Sequence, residues 1–356
     1  MTQVFLSFAA ALVICIIVIS LLIPLSTHFG WLDTPDERKR HETPTPAIGG
    51  FGMFLAVLLP MIWLEGFSQQ NIGFLIGSLL LIVVGALDDK FTVDWKIRIG
   101  VQVLAALSMI FISGVRAEHI GPLFGFGDIE LGWISIPFTI FATLGIINAL
   151  NMFDGLDGLL GTVGFFVICM IISAAVYSGS YDIAINLFII MGALIGFLWF
   201  NLRFSWQSNA RVFMGDAGSG FLGFILAYYI FKLTQDPIHP VSPILGPYLL
   251  ALPIIDCLVL IVHRFRKGLS PFVADRDHGH YLMLDAGFSI TEIIRTMVLL
   301  TCIFGIFGAA ALKLQMPSSL LVMIFLFCLF AWFWITETRQ RAIEFFSWLK
   351  KCLLKS

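Results

Sequence analysis

The residues most suited to chemistry interrupt a greasy stretch. Between Ile146 and Gly161 (IINALNMFDGLDGLLG) stand Asn148, Asn151, Asp154 and Asp157, each three residues after the last. Amides and carboxylates at this density suit a nucleotide or sugar together with a metal ion. On a helix, residues three apart lie within about 60° of one another, so neighbours share a face but the whole quartet does not. Gly155 and Gly158 let the chain bend and approach a ligand closely. The bland alternative is two successive Asp-Gly turns.

Four other stretches carry chemistry. Asp88 and Asp89 close an apolar run (LLIVVGALDDKF). Two carboxylates at a helix C-terminus repel each other and the negative end of the dipole, a conflict that a divalent cation relieves. Mg²⁺ takes one or two carboxylates and fills its shell with water and phosphate oxygens. The plain reading is a solvated loop start screened by Lys90. In RVFMGDAGSGFLGF, Asp216 precedes a glycine-rich helix start, where free N–H groups would face a phosphate. Asp216 as an N-cap, with Gly218 and Gly220 as packing residues, is the alternative. In DRDHGHYLML, His278 and His280 stand two apart, a loop spacing that suits hydrogen bonds to phosphate or a metal, although no zinc pattern surrounds them. Arg264 and Arg276 flank them as cations for phosphate, and Arg98 follows the Asp pair. In DTPDERKRHETPTPAIGGFG, Lys39 and His41, with Arg38 and Arg40, form either a clamp for a lipid phosphate or a basic loop attracted to anionic headgroups.

The elements that must position these groups are membrane helices. Of 356 residues, 59% are hydrophobic and 12% charged, and the mean hydropathy is +0.95. Soluble domains are about 45–50% apolar and 25% charged. Strand alternation is absent, so the spans are helical. Eleven apolar segments are expected, over 3–25, 47–65, 71–87, 97–114, 133–150, 158–178, 183–201, 217–233, 243–263, 291–313 and 317–336. This count puts eighteen of the 21 Lys and Arg on one side, leaving Arg116, Lys232 and Lys313 on the other. The first side is then cytoplasmic, the N-terminus outside and the C-terminus inside. The run 4–25 has no basic leader or cleavage site and is expected to be retained. The chain divides into a polytopic transmembrane domain, 1–336, and a basic amphipathic tail on the inner leaflet, 337–356. The six cysteines have no disulfide or metal spacing. Carboxylates near spans read as functional.

The order and spacing of RKRHETPTPAIGG, GALDD, NALNMFDGLDGL, VFMGDAGS and RKGLSPFVADRDHGH resemble the polyprenyl-phosphate N-acetylhexosamine-1-phosphate transferases of glycosyltransferase family 4, in their bacterial undecaprenyl-phosphate branch. The resemblance covers nearly the whole chain. It implies a multispanning, Mg²⁺- or Mn²⁺-dependent enzyme of the bacterial inner membrane with a cytoplasmic active site. Its substrates would be a UDP-N-acetyl sugar, GlcNAc by default, and undecaprenyl phosphate. The products would be UMP and a lipid-linked sugar that begins O-antigen, common-antigen or teichoic-acid-type glycans. By position, Asp88 and Asp89 resemble the metal- and phosphate-handling pair, with Asp89 and Asp216 as metal ligands. Asn151, Asp154 and Asp157 resemble the nucleotide motif, with Asn148 beside them, and His278 and His280 the histidine motif. Two departures are Thr92, where some relatives carry an acid, and Tyr281, where the motif often ends in a second histidine. The implied partners are the two substrates and membrane lipids, without nucleic acid; a homo-oligomer is compatible. Asp88 is expected to hold or deprotonate the lipid phosphate, which attacks the donor directly. The rival reading, a transporter of an anionic solute, predicts polar residues at the membrane midplane.

Overall fold

A computed structural model describes residues 2–34, 44–238, 241–270 and 275–353. The helices, in order, are α1 (Thr2–His28), α2 (Gly49–Glu65), α3 (Gln69–Phe91), α4 (Trp95–Phe111), α5 (Ser135–Phe153), α6 (Leu159–Ser178), α7 (Tyr181–Asn201), α8 (Gly215–Thr234), α9 (Leu245–Leu249), α10 (Ala251–Arg266), α11 (Gly279–Asp285), α12 (Ile290–Lys313), α13 (Ser318–Thr336) and α14 (Arg339–Leu353). Two-residue strands, β1 (Leu32–Asp33) and β2 (Thr45–Pro46), pair antiparallel beside α2. The chain is an all-α membrane protein. A helix closes all of its own backbone hydrogen bonds, which the bilayer core demands.

Ten of the eleven apolar segments expected from sequence each coincide with one helix to within about four residues at either end. Among the described residues, eight helices are long and apolar enough to cross a membrane. The shorter ones are α2 and α4, at 17 residues each, and the α9–α10 pair. Seventeen residues span only about 25 Å. The segment expected as one helix over 243–263 is broken at Leu250. Pro253 accounts for the break: it has no N–H to give the Leu249 carbonyl, and α10 restarts with the proline in its first turn.

The bundle is built around α8, whose span is 94% buried, whereas that of peripheral α13 is 6% buried. Small residues allow this central position. A Cβ on Gly85 of α3 would strike the backbone of Ala217, and Gly50 of α2 meets Gly218 just as closely. Backbone contact draws the last turn of α3 onto the first turn of α8. Gly218 is therefore a packing residue, while Gly220 faces open space.

The predicted amphipathic tail is α14. Ala342 and Phe346 of its apolar side are buried on protein, and Trp348 is left exposed. Phe346 meets the edge of Trp332 at 5.9 Å between ring centres. Arg339 bonds Asp277 (2.8 Å) and the carbonyl of Arg276 (3.1 Å), and also pairs with Asp285. One guanidinium thus brackets both ends of α11.

Candidate functional site

The site begins at the α3–α4 turn. Thr92 adopts a left-handed conformation (φ 56°) that ends α3, and Asp94 caps α4 by accepting from the Lys96 N–H at 2.8 Å. Thr92 and Asp94 therefore shape the turn. It presents Asp88 and Asp89 in different directions. Asp88 accepts from Val93 N (2.7 Å) and from Arg98 Nη1 (2.5 Å), so both of its oxygens are engaged. Asp89 reaches across to α8 and accepts from Asp216 N (2.8 Å) and Ala217 N (3.4 Å). The N–H groups expected to face a phosphate at the start of α8 instead hold a carboxylate 127 residues away in sequence. That anion satisfies the orphan donors and the dipole. Asp216 is not the N-cap; that place is Met214, and Asp216 lies in the first turn.

Asp216 is the centre of the cluster. Its Oδ1 accepts from Asn151 Nδ2 at 2.6 Å, and the same amide reaches Ser219 Oγ at 2.9 Å. Its Oδ2 lies 3.8 Å from Arg98, so Asp88 and Asp216 share one guanidinium. Asn148, one turn deeper on α5, donates to Gln102 Oε1 at 2.7 Å. These side chains line a cleft of about 30 Å³ between α3, α4, α5 and α8, with Leu81, Val84 and Ile147 as its apolar walls. That is room for about one water.

The α5–α6 junction extends the cluster. α5 ends at Phe153, and Gly158, with φ of 77°, starts α6. Asp154 is pushed up to about 7 by burial first, then by Asp216 and Asp157. Asp157 is turned the other way: Arg203 donates to its Oδ2 through two nitrogens (2.8 and 2.7 Å), and Ala210 N adds a third bond at 3.3 Å. This side chain ties the α5–α6 junction to the α7–α8 junction.

α11 closes the far side. His278 Nδ1 lies 2.9 Å from Asp256 Oδ2. His280 is fully buried, and neither ring nitrogen has a partner among the described residues. Burial, then the neighbouring His278, pushes it down to about 3, so it is a neutral ring at pH 7. Its Nε2 packs against Gly155, where no Cβ would fit. Tyr281 donates its hydroxyl to Gly155 O at 3.2 Å, so the departure at this position serves as a tether. Arg264 is buried in an ion pair with Asp275 (2.8 Å), and the Arg276 carbonyl accepts from Arg339. Lys39 and His41 lie outside the described residues.

Sequence reasoning missed Gln102, Arg203, Asn201 and Asp256. Asn201 accepts from Gly158 N (2.8 Å) and donates to Val212 O (2.9 Å), bridging the two junctions. Asp256 carried a signal, a lone carboxylate in the apolar run LPIIDCLVLIV. The others are ordinary polar residues until their distant partners are known. A second groove, about 630 Å³, opens beside β2 along Trp199, Trp206 and Arg211, and holds none of the carboxylates.

Fold and site together define an all-α membrane protein with carboxylates, amides and arginines from successive inter-helix junctions gathered in one place. The glycosyl transferase family 4 model matches residues 71–234, the stretch from α3 to α8 that holds Asp88, Asp89, Asn151 and Asp216. The undecaprenyl-phosphate alpha-N-acetylglucosaminyl 1-phosphate transferase of Yersinia pestis is 31% identical over 90% of this chain and 88% of its own. Its namesake in Escherichia coli K12 is 30% identical over 92% and 89%. The Haemophilus influenzae one is 32% identical over 86% of each. The chain belongs to glycosyl transferase family 4.

Proposed function

We propose that the protein transfers N-acetylglucosamine-1-phosphate from a UDP-sugar to undecaprenyl phosphate and releases UMP. The observation that carries this reading is the Asp89–Asp216–Asn151 cluster with Arg98, gathered at the ends of α3, α5 and α8 beside a small cleft with polar and apolar walls. A guanidinium and clustered acids at the end of apolar helices suit a phosphate carried by a membrane lipid. In the same reading the chain has eleven spans in the inner membrane, an outside N-terminus and a cytoplasmic active site, supported by the Lys and Arg asymmetry. The product would be the first lipid-linked intermediate of a surface glycan.

The donor set fits Mg²⁺ or Mn²⁺. Hard carboxylate oxygens crowd together, Asp216 and Asp88 share a single cation, and the site offers no thiolate. Among the described residues no three His, Cys, Asp or Glu side chains form a ligand cage. Mg²⁺ needs no such cage, because water and phosphate complete its shell. Asp89 and Asp216 would hold the ion, which when bound neutralises phosphate charge and aligns the reactants.

An oxygen of the lipid phosphate attacks the β-phosphorus of the donor. The new P–O bond forms as the α–β bridge breaks, and the bridging oxygen leaves with UMP. A phosphate monoester with its second pKa near 6 is mostly dianionic at neutral pH, so little base assistance is required. The obstacle is repulsion between anions. Asp88 orients Arg98 and, with it, would hold the lipid phosphate or take up its remaining proton. Arg98 receives phosphate charge, Asn151 holds Asp216 in place, and Asp154 and the α11 histidines close the donor side. No observation favours transport: the carboxylates of the cluster sit at helix ends.

The test is direct. Purified protein given UDP-GlcNAc, undecaprenyl phosphate and Mg²⁺ is expected to release UMP and lipid-linked sugar in equal amounts. Absence of both products across a panel of UDP-N-acetyl sugars would refute the reading.

A further inference from the structure

Asp256 is a carboxylate on an apolar helix, only 6% exposed, between the buried Ile255 and Cys257. An ion in such a place is costly unless hydrogen bonds replace its water. Three donors do so. Oδ1 accepts from Gly279 N (3.1 Å) and Trp332 Nε1 (3.3 Å), and Oδ2 faces His278 Nδ1 at 2.9 Å. The first two are groups that only donate, so Oδ1 acts purely as an acceptor, and an ionised carboxylate satisfies all three contacts at once. With Asp256 ionised, the third bond is donated by Nδ1–H of His278 and leaves Nε2 as the nitrogen available to a ligand.

The connections continue toward the acids. The rings of His278 and His280 stack at 5.4 Å with 17° between planes. His280 packs on Gly155, and Tyr281 bonds the Gly155 carbonyl. Gly155 follows Asp154 directly. An error in the seating of His278 is therefore passed through rigid contacts to the α5–α6 junction. α11 has seven residues and no side-chain N-cap; the Gly279 N–H at its start is satisfied by Asp256.

We infer that Asp256 is a positioning residue for the transfer reaction: it fixes the tautomer and seating of His278 and anchors the start of α11 to α10 and α13. The inference rests on the transferase reading, and the experiment below separates the two. Groups of this kind, standing behind a working histidine, are commonly worth 10–100-fold in activity.

The experiment is a double-mutant cycle of Asp256→Asn, His278→Ala and the pair, read by UMP release and by thermal unfolding in detergent. Asp256→Asn keeps an acceptor for Gly279 and Trp332 but offers an amide to His278. It is expected to lower kcat by about 10–100-fold with the KM for UDP-GlcNAc changed less than about threefold. On the His278→Ala background it should cost nothing further, because the two residues act as one unit. Effects that multiply, or wild-type turnover in Asp256→Asn, would overturn the inference. A second readout is independent of turnover and of how Asp256→Asn folds. With ¹⁵N-histidine labelling of the wild type, assigned by the signal lost in His278→Ala, His278 should be protonated on Nδ1. Protonation on Nε2 alone would overturn the inference even in an active enzyme. An Nδ1-protonated His278 in a protein that releases no UMP would instead sink the transferase reading.

Discussion

The two ends of the bundle are closed by different chemistry. At the end opposite the cluster, neutral groups stitch helices together. Gln235 mimics a strand, accepting from the N–H groups of Glu118 (2.9 Å) and His119 (3.2 Å) and donating to the His119 carbonyl (3.0 Å). Ser113 donates to Gln70 O at 2.7 Å, and Ser135 to Ala117 O at 2.5 Å. Charged pairs there, such as Lys232 with Asp182 at 3.3 Å, stand as isolated couples. At the cluster end, carboxylates from separate junctions crowd together, and Arg98 serves two of them. One end holds its helices together chiefly through neutral hydrogen bonds. The other accumulates like charge that a fold would avoid unless a cation and anionic ligands complete it.

Substitutions should therefore separate activity from stability according to the end they touch. The largest effect is expected from Asp216→Asn and Asp89→Asn, each lowering UMP release by about a thousandfold or more. Asp89→Asn should also lower unfolding stability by about 1–3 kcal/mol, since it weakens the acceptor for two N–H groups of α8. Turnover within tenfold of wild type in either variant would remove it from the metal site. Next comes Arg98→Ala, which leaves Asp88 and Asp216 facing each other unscreened. About a hundredfold loss is expected, with a raised requirement for Mg²⁺ in a titration; an unchanged titration would break the shared-guanidinium picture. Arg339→Ala should cost about tenfold or less in turnover, because exposed ion pairs are weak singly and only its bracketing of α11 matters. The smallest effect on activity is expected at the other end. Gln235→Ala should change turnover less than about twofold while lowering stability by about 1–2 kcal/mol. A large loss of turnover there would erase the contrast.

His280 contributes one pH-dependent part of the stability. Burial holds its folded pKa near 3, below the ordinary 6.5. Above pH 6.5 the ring is neutral in both folded and unfolded chains and has no effect. As the pH falls from about 6.5 toward 3, only the unfolded chain takes up the proton, and stability is lost. Asp154, pushed up to about 7, acts in the opposite sense over the same range, because the folded chain takes up its proton first. The test is therefore a difference in thermal unfolding: lowering the pH from 7.5 to 4.5 should destabilise the wild type relative to His280→Gln, and equal slopes would place the cause elsewhere.

Much of this was legible in the chain because its signals are local. An apolar run bounded by polar residues announces a helix, and Asp88, Asp89, Asn151 and Asp216 stood out as polar residues at such boundaries. What was not legible depended on distant pairing. Nothing near Asp89 indicates that it caps a helix starting at Gly215, and nothing near Asp157 points to Arg203. The glycine-rich start of α8 looked open to phosphate because the contact that fills it comes from α3. Asp256 was overlooked because an apolar window of twenty residues absorbs one carboxylate without ending.

The central claim is that acids from separate junctions grip one divalent ion beside the donor. Mn²⁺ binding to the purified protein, read by electron paramagnetic resonance with UDP-GlcNAc present, tests it most directly. One tightly bound Mn²⁺ per chain is predicted for the wild type, and none for Asp89→Asn or Asp216→Asn. Undiminished Mn²⁺ binding in both variants, or none in an active wild type, would contradict it.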